Sequence, residues 1–387
     1  MTSAKSAPVR NRATWVAYAH VGAFGWFLYS FGPTMSLLSD EQGTSAVIMS
    51  LHMSAMSLGS LLSGIYIARV VKRIGRGNSL RLASVMIIVG VLALYFSPTY
   101  ILTLSSAFFI GLATTILVTM NTSFIDQEHH HAAPAALAEL NMFAAASGFI
   151  APIAIGWMVS ENFGWRGGGY ILIVALIVVE FARRDVSAFD VQRGEEVQEH
   201  TGKLPRDYWW AWSLLIITSG AEFCLMLFST DLLRDTGGLG DAAAVASVST
   251  LTLGLFFGRL LIARISRSVG PETLLRATFV FTFASFWLLW AVPQPAIMLT
   301  GLFLCGVGIA GHWPLAIART IRAGGNKPDL AAAKTALATG GSGILIPLTL
   351  GAVTEFVGVH TAFLQVPALL AMGLGVLLVH PLNELKR

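Results

Sequence analysis

Apolar positions along this chain gather into twelve long blocks, at 14–38, 45–70, 79–97, 100–125, 134–159, 165–183, 208–230, 242–264, 273–292, 296–318, 329–354 and 361–380. A helix crossing the hydrocarbon of a bilayer needs about 20 apolar residues, and each block is close to that length. Barrel strands would alternate apolar and polar residues over about ten positions. These blocks do not alternate, so the pattern predicts an all-α membrane protein with twelve transmembrane helices. The first block is too long for the apolar region of a signal peptide and no small-residue cleavage site follows it, so it is expected to remain as a helix.

Composition narrows the function. Of the 387 residues, 55% are hydrophobic and only 12% are charged, against about 25% charged in soluble domains. So little charge cannot cover a water-soluble surface of this size, which excludes ordinary cytosolic enzymes and disordered proteins. The net charge of +4 and the pI near 9.2 would fit a nucleic-acid partner, but the placement of the basic residues gives them another role. Twenty of the 25 fall on one set of alternating loops and termini: Lys5, Arg10, Arg12; Lys72, Arg73, Arg76, Arg81; Arg183, Arg184, Arg193, Lys203, Arg206; Arg264, Arg267, Arg276; Arg319, Arg322, Lys327; Lys386 and Arg387. The opposite loops hold only Arg166 and Arg234. An excess of Lys and Arg marks the cytoplasmic side. The expectation is a multi-pass protein of the plasma (inner) membrane, with both termini cytoplasmic and no nucleic-acid partner. Cys224 and Cys305 lie inside apolar runs and offer no disulfide framework.

The longest polar stretch, Arg183 to Asp207, divides six blocks from six. The expected organisation is an N-terminal six-helix bundle over 1–183, a cytoplasmic linker over 184–207 and a C-terminal six-helix bundle over 208–387. A shift of 195 residues aligns the halves without gaps: Gly75 meets Gly270, Arg81 meets Arg276, Pro98 meets Pro293, Gly148 meets Gly343, Pro152 meets Pro347 and Gly156 meets Gly351. Matched glycines and prolines mark shared turns, bends and close helix approaches. Two pseudo-symmetric bundles follow, an organisation used by one large class of transporters.

The turn between the second and third blocks reads Lys72-Arg73-Ile74-Gly75-Arg76, and the fifth block carries Gly148-x-x-x-Pro152-x-x-x-Gly156. With the twelve blocks and the internal repeat, these residues make the whole chain resemble the major facilitator superfamily. The basic turn is similar to the family's Asp-Arg-x-Gly-Arg signature, with Lys72 in the acidic place. The second-half copy, Arg267-Ser268-Val269-Gly270, lacks the acid as well. The fifth-block element looks like a degraded form of the Gly-Pro motif of the family's antiporters. The resemblance implies secondary transport by alternating access, with helices 1, 4, 7 and 10 lining a central cavity.

Those four helices supply the candidate site. Glu222 is the one carboxylate well inside them, about 21 Å from the start of its block. It is assigned proton coupling, since intramembrane ionisable groups are functional by default; the competing role is a static carboxylate bonded for packing. Trp26 and Tyr29 on helix 1, Asn121 on helix 4, Phe223 on helix 7, and His312 and Trp313 on helix 10 are assigned to solute binding. Aromatic walls with a few polar groups suit a small organic molecule, although each of these residues also serves as packing or as a bond to a neighbouring helix. Thr114, Thr115 and Thr119 either face the cavity or satisfy nearby backbone. Pro314 is expected to break helix 10 beside His312. The absence of Lys and Arg from the middle of these helices weighs against a strongly anionic substrate.

Glu139 and Arg259, each about 8 Å inside the cytoplasmic boundary, are expected to latch the two halves, with Lys334 joining them or facing the vestibule. Snorkelling of Arg259 to water is the alternative. His129, His130 and His131 stand together in a loop, but adjacency is not convergent metal geometry, and no metal or other cofactor is expected. The sequence has no phosphate loop, zinc-binding His pair or nucleophile elbow, so no enzyme activity is expected and the driving force must come from a gradient. The partners expected are a small-molecule solute, protons and the lipid bilayer, with the protein acting as a monomer. Drug or metabolite efflux by antiport is the nearest alternative, and a non-transporting receptor or scaffold on the same fold is the alternative of another class.

Overall fold

A computed structural model describes residues 8, 10–184, 202–266 and 268–382. Its helices are α1 (Arg12–Gln42), α2 (Ala46–Ile74), α3 (Arg76–Phe96), α4 (Tyr100–His129), α5 (Ala133–Ser160), α6 (Gly167–Arg183), α7 (Arg206–Asp235), α8 (Asp241–Ile265), α9 (Pro271–Trp290), α10 (Pro295–Ile309), α11 (His312–Ala323), α12 (Pro328–Ala362) and α13 (Gln365–Val379). No strand occurs among the described residues. Among the described residues nine spans are long and apolar enough to cross a membrane, and one of these, Pro295–Ala323, joins α10 and α11. The polar-dotted α1, the 17-residue α6 and the 15-residue α13 complete twelve crossings. The fold is therefore the all-α, twelve-helix membrane architecture that the hydropathy pattern predicts. Lys5, Arg193, Arg267, Lys386 and Arg387, and most of the linker, lie outside the described residues.

Two helix boundaries differ from expectation. The tenth block breaks at Ala310–Gly311, and Pro314 sits in the first turn of α11. A proline there costs nothing, because the N–H groups of a first turn have no partner within the helix. The eleventh block stays helical past its expected end but kinks at Gly358, whose φ of 76° is one that glycine tolerates, before a short helical stretch continues to Ala362.

Contacts divide the chain into two compact units. The first comprises Met1–Phe31 and Leu58–Val197, the second Gly32–Ser57 and Gln198–Arg387. The sequence halves meet at the linker; packing additionally assigns the ends of α1 and α2 around the connecting turn to the second unit.

In the first unit α1 and α5 approach at backbone distance. A Cβ on Gly25 would lie 2.1 Å from the Ala144 carbonyl oxygen, and one on Gly148 would lie 2.1 Å from the Tyr29 ring. The Gly-Pro element of the fifth block thus includes a packing seat for Tyr29. In the second unit a Cβ on Gly32 would collide with the Met226 carbonyl of α7, and one on Gly343 of α12 with Ser57 Oγ. The Ser54 hydroxyl donates to the Ile344 carbonyl at 2.6 Å. Small residues that let helices touch are the usual adhesive where lipid removes the hydrophobic drive for association.

Each half also ties the start of its third helix to the end of its fourth crossing. Arg76 donates to Gln127 Oε1 at 2.9 Å and to Ser123 Oγ at 3.1 Å, joining α3 to α4. Arg319 of α11 donates to Glu272 of α9 at 3.0 Å and to the His380 carbonyl at 2.5 Å. The locations correspond within one residue under the 195-residue shift, but the arginine has changed sides.

Candidate functional site

Glu222 lies mid-way along α7, after the sealed Ala221, and like Phe223 beside it is only partly buried. Helical periodicity explains this: Ala221, Cys224 and Leu225 face the packed side while Glu222 and Phe223 turn off it. Glu222 has no hydrogen-bond or ion-pair partner among the described residues, and the same holds for the exposed Arg259 of α8. Opposite charges on two packed helices of one unit, α7 and α8, are thus each without a direct partner among the described residues. Phe223 packs at the same level towards Gly343 of α12.

Glu139, expected to meet Arg259, is engaged inside the first unit. Arg10 donates to both of its oxygens, at 2.9 and 2.6 Å, and the Tyr18 hydroxyl donates at 3.0 Å. The hydrogen bond and negative charge of Glu139 push the Arg10 guanidinium above its ordinary range. Lys334 stays within the second unit, with its ammonium 5.5 Å from the centre of the Trp209 ring. Its carbonyl accepts a bond from the Trp212 indole at 3.0 Å. Glu222 and Arg259 thus lie on packed helices of the second unit without contact, and Glu139 and Lys334 have other neighbours.

The remaining candidates are distributed between the units. In the first, the Trp26 indole donates to the Gly168 carbonyl at 3.0 Å, anchoring α1 to the start of α6. Tyr29 is buried in its glycine seat. Asn121 is fully buried, and its amide nitrogen donates to the Leu117 carbonyl of its own helix at 2.8 Å. Thr114 and Thr115 both donate to the Gly111 carbonyl, at 3.2 Å each. In the second unit His312 is fully buried and stacks on Phe279, with ring centres 4.4 Å apart. Trp313, the next residue, is exposed. His129 spends its ring on the Thr14 hydroxyl, 3.0 Å away.

Two charged clusters escaped the sequence reading. In the first unit, Glu180 of α6 takes a bond from Ser84 of α3 at 2.8 Å and a two-nitrogen contact from the buried Arg183 at 3.1 and 2.8 Å, and the buried His20 Nε2 of α1 stands 3.3 Å away without a hydrogen bond. In the second unit, Asp231 of α7 accepts from Ser36 of α1 at 2.5 Å and from Arg234 at 3.0 Å, while Arg234 also donates to Asp40 at 2.5 Å. Polar residues at or near the ends of apolar blocks were the available signal: His20 and Ser36 stand inside the first block, and Glu180 inside the sixth.

Comparisons place this geometry among known proteins. The sequence profile of the Major Facilitator Superfamily matches residues 19–347. Among solved structures, the nucleoside transporter NupG superimposes with a TM-score of 0.77 at 12% identity, covering 96% of this chain and 99% of that one. An inward-facing, unoccupied structure of a bacterial homologue of the human lysosomal transporter Spinster gives a TM-score of 0.73 at 12% identity, covering 96% and 97%. No curated protein matches by sequence.

Proposed function

The chain belongs to the major facilitator superfamily, and from that premise we propose that it is a secondary active transporter moving a small organic solute by alternating access, coupled to protons at Glu222. The observation that carries the reading is Glu222 itself, a carboxylate mid-way along an apolar helix and joined to nothing among the described residues, with the equally unpartnered Arg259 on the helix packed beside it. Charge inside a membrane is costly unless paired or put to use. A carboxylate held in direct contact with a guanidinium would resist protonation, whereas one at a distance keeps its oxygens open to a proton or to a solute donor. Arg259 then supplies attraction to the ionised form, and protonation removes that attraction. Phe223 offers an apolar surface beside the same carboxylate. A receptor or scaffold has no use for such an unpaired carboxylate.

The test begins with a thermal-shift screen of solutes, since a ligand of the folded state raises its melting temperature. Nucleosides, named for one structural relative, are one class to include. The solute found is then followed into proteoliposomes. Glu222→Gln is expected to abolish accumulation driven by a pH gradient while leaving solute exchange at equal pH. Accumulation at the wild-type level would remove Glu222 from the coupling role. The direction of pH gradient that drives accumulation separates uptake from export.

A further inference from the structure

A groove of about 210 Å³ opens between α3 and α6 of the first unit. Its walls are aliphatic, with Val85 and Ile88 on α3 and Ile177 on α6, and Arg81, Phe181 and Arg184 stand at the end nearest the polar segments. Arg184 is fixed there, its guanidinium 4.2 Å from the centre of the Phe181 ring. Arg81 is exposed and has no acidic partner among the described residues. Glu180 also borders the groove, but its charge is spent inward, on Arg183, Ser84 and His20. Among the described residues, two guanidinium groups at the head of an aliphatic channel therefore have no anion to neutralise them.

We propose that this groove binds an anionic phospholipid of the cytoplasmic leaflet, with the phosphate on Arg81 and Arg184 and the start of an acyl chain along Val85, Ile88 and Ile177. Charge complementarity selects the occupant. Arginines recognise phosphate through paired donors, and basic pockets between helices on the cytoplasmic side suit anionic headgroups. The aliphatic wall adds apolar contact that a soluble phosphate cannot use. Both arginines belong to the cytoplasmic set by the positive-inside pattern. Neither is among the groups assigned to coupling, so the site is separate from Glu222.

The experiment is a thermal-shift titration of purified full-length protein in detergent with dioleoyl phosphatidylglycerol, dioleoyl phosphatidylcholine and glycerol 3-phosphate. Phosphatidylglycerol is expected to raise the melting temperature, and the other two are expected to leave it unchanged. Arg81→Gln with Arg184→Gln should weaken the half-saturating phosphatidylglycerol concentration by roughly tenfold or more, as expected for two cations near an anionic surface. Val85→Trp, which fills the groove and keeps both charges, should weaken it as well. The lysine pair Arg81→Lys with Arg184→Lys should retain part of the effect, which separates charge from misfolding. Equal stabilisation by both lipids would overturn the proposal, as would a response to glycerol 3-phosphate alone. So would an equal loss on replacing Arg322 and Lys327 of the second unit, which would mark general surface charge.

Discussion

Arg234 joins Asp40 at 2.5 Å, fastening the last turn of α7 to the far end of α1. Its other terminal nitrogen holds Asp231, which also receives the Ser36 hydroxyl, and Asp235 and Asp241 stand within 3.4 and 3.7 Å of the same guanidinium. One arginine thus serves four carboxylates. Arg234→Ala is expected to leave them repelling one another and to separate α1 from α7. Labelling of a Ser36→Cys thiol by a water-soluble maleimide should then accelerate by roughly tenfold, given the strength of hydrogen bonds between charged groups. Arg234→Lys should lie between the two. An unchanged labelling rate would show that α1 is held to α7 by packing alone.

Glu272 and Arg319 are both nearly sealed from solvent, at 4% and 1% exposure. Removing one partner strands a buried charge, at a cost of about 3–5 kcal/mol. Arg319→Met alone should lower the melting temperature sharply, and Arg319→Met with Glu272→Leu should recover most of the loss because neither charge remains. A double variant as unstable as the single one would mean that the bond from Arg319 to the His380 carbonyl, not the ion pair, holds this end of the bundle.

The Arg10–Glu139 pair is the opposite case. Arg10 is exposed, and ion pairs at a wet surface contribute little. Arg10→Ala is expected to leave the melting temperature close to wild type. A loss comparable to that of Arg319→Met would assign the chain start a structural role that its exposure does not suggest.

Gly25 carries a steric prediction. A methyl group there would collide with the Ala144 carbonyl, a backbone atom that cannot turn aside. Gly25→Ala should destabilise the α1–α5 contact by about 1–3 kcal/mol, seen as a lower melting temperature. Gly64→Ala, with open space around the new methyl, is the matched control and should be neutral or slightly stabilising.

The crossings were legible because bilayer thickness writes itself into block length, and the repeat because Gly148 and Gly343 meet the same demand for close approach. Glu222 was legible as a carboxylate in an apolar run. What it faces was not: position along a helix gives depth, whereas the partner depends on rotation about the axis and on which helix lies opposite. Depth likewise sets Glu139 level with Arg259, and could not show that Arg10, outside any block, donates to Glu139. His20 and Glu180 are 160 positions apart, and only the packing of α1 on α6 makes them a pair. At the tenth crossing, Pro314 drew attention from Gly311, although a proline in a first turn is harmless and a glycine just before it is where the helix ends.

The assignment of α1 to two units has a mechanical corollary. Residues Arg12 to Phe31 belong to one unit and Gly32 to Gln42 to the other, and α2 changes allegiance between Ser57 and Leu58. Both helices run unbroken across the division, so any bend in them is easiest where the backbone is least constrained. The sequence supplies compliance there. Gly32 has no side chain, Pro33 gives no N–H to the turn containing Tyr29, and Gly59 follows the second crossover directly. Flexure at these positions would cost less than unwinding a regular turn.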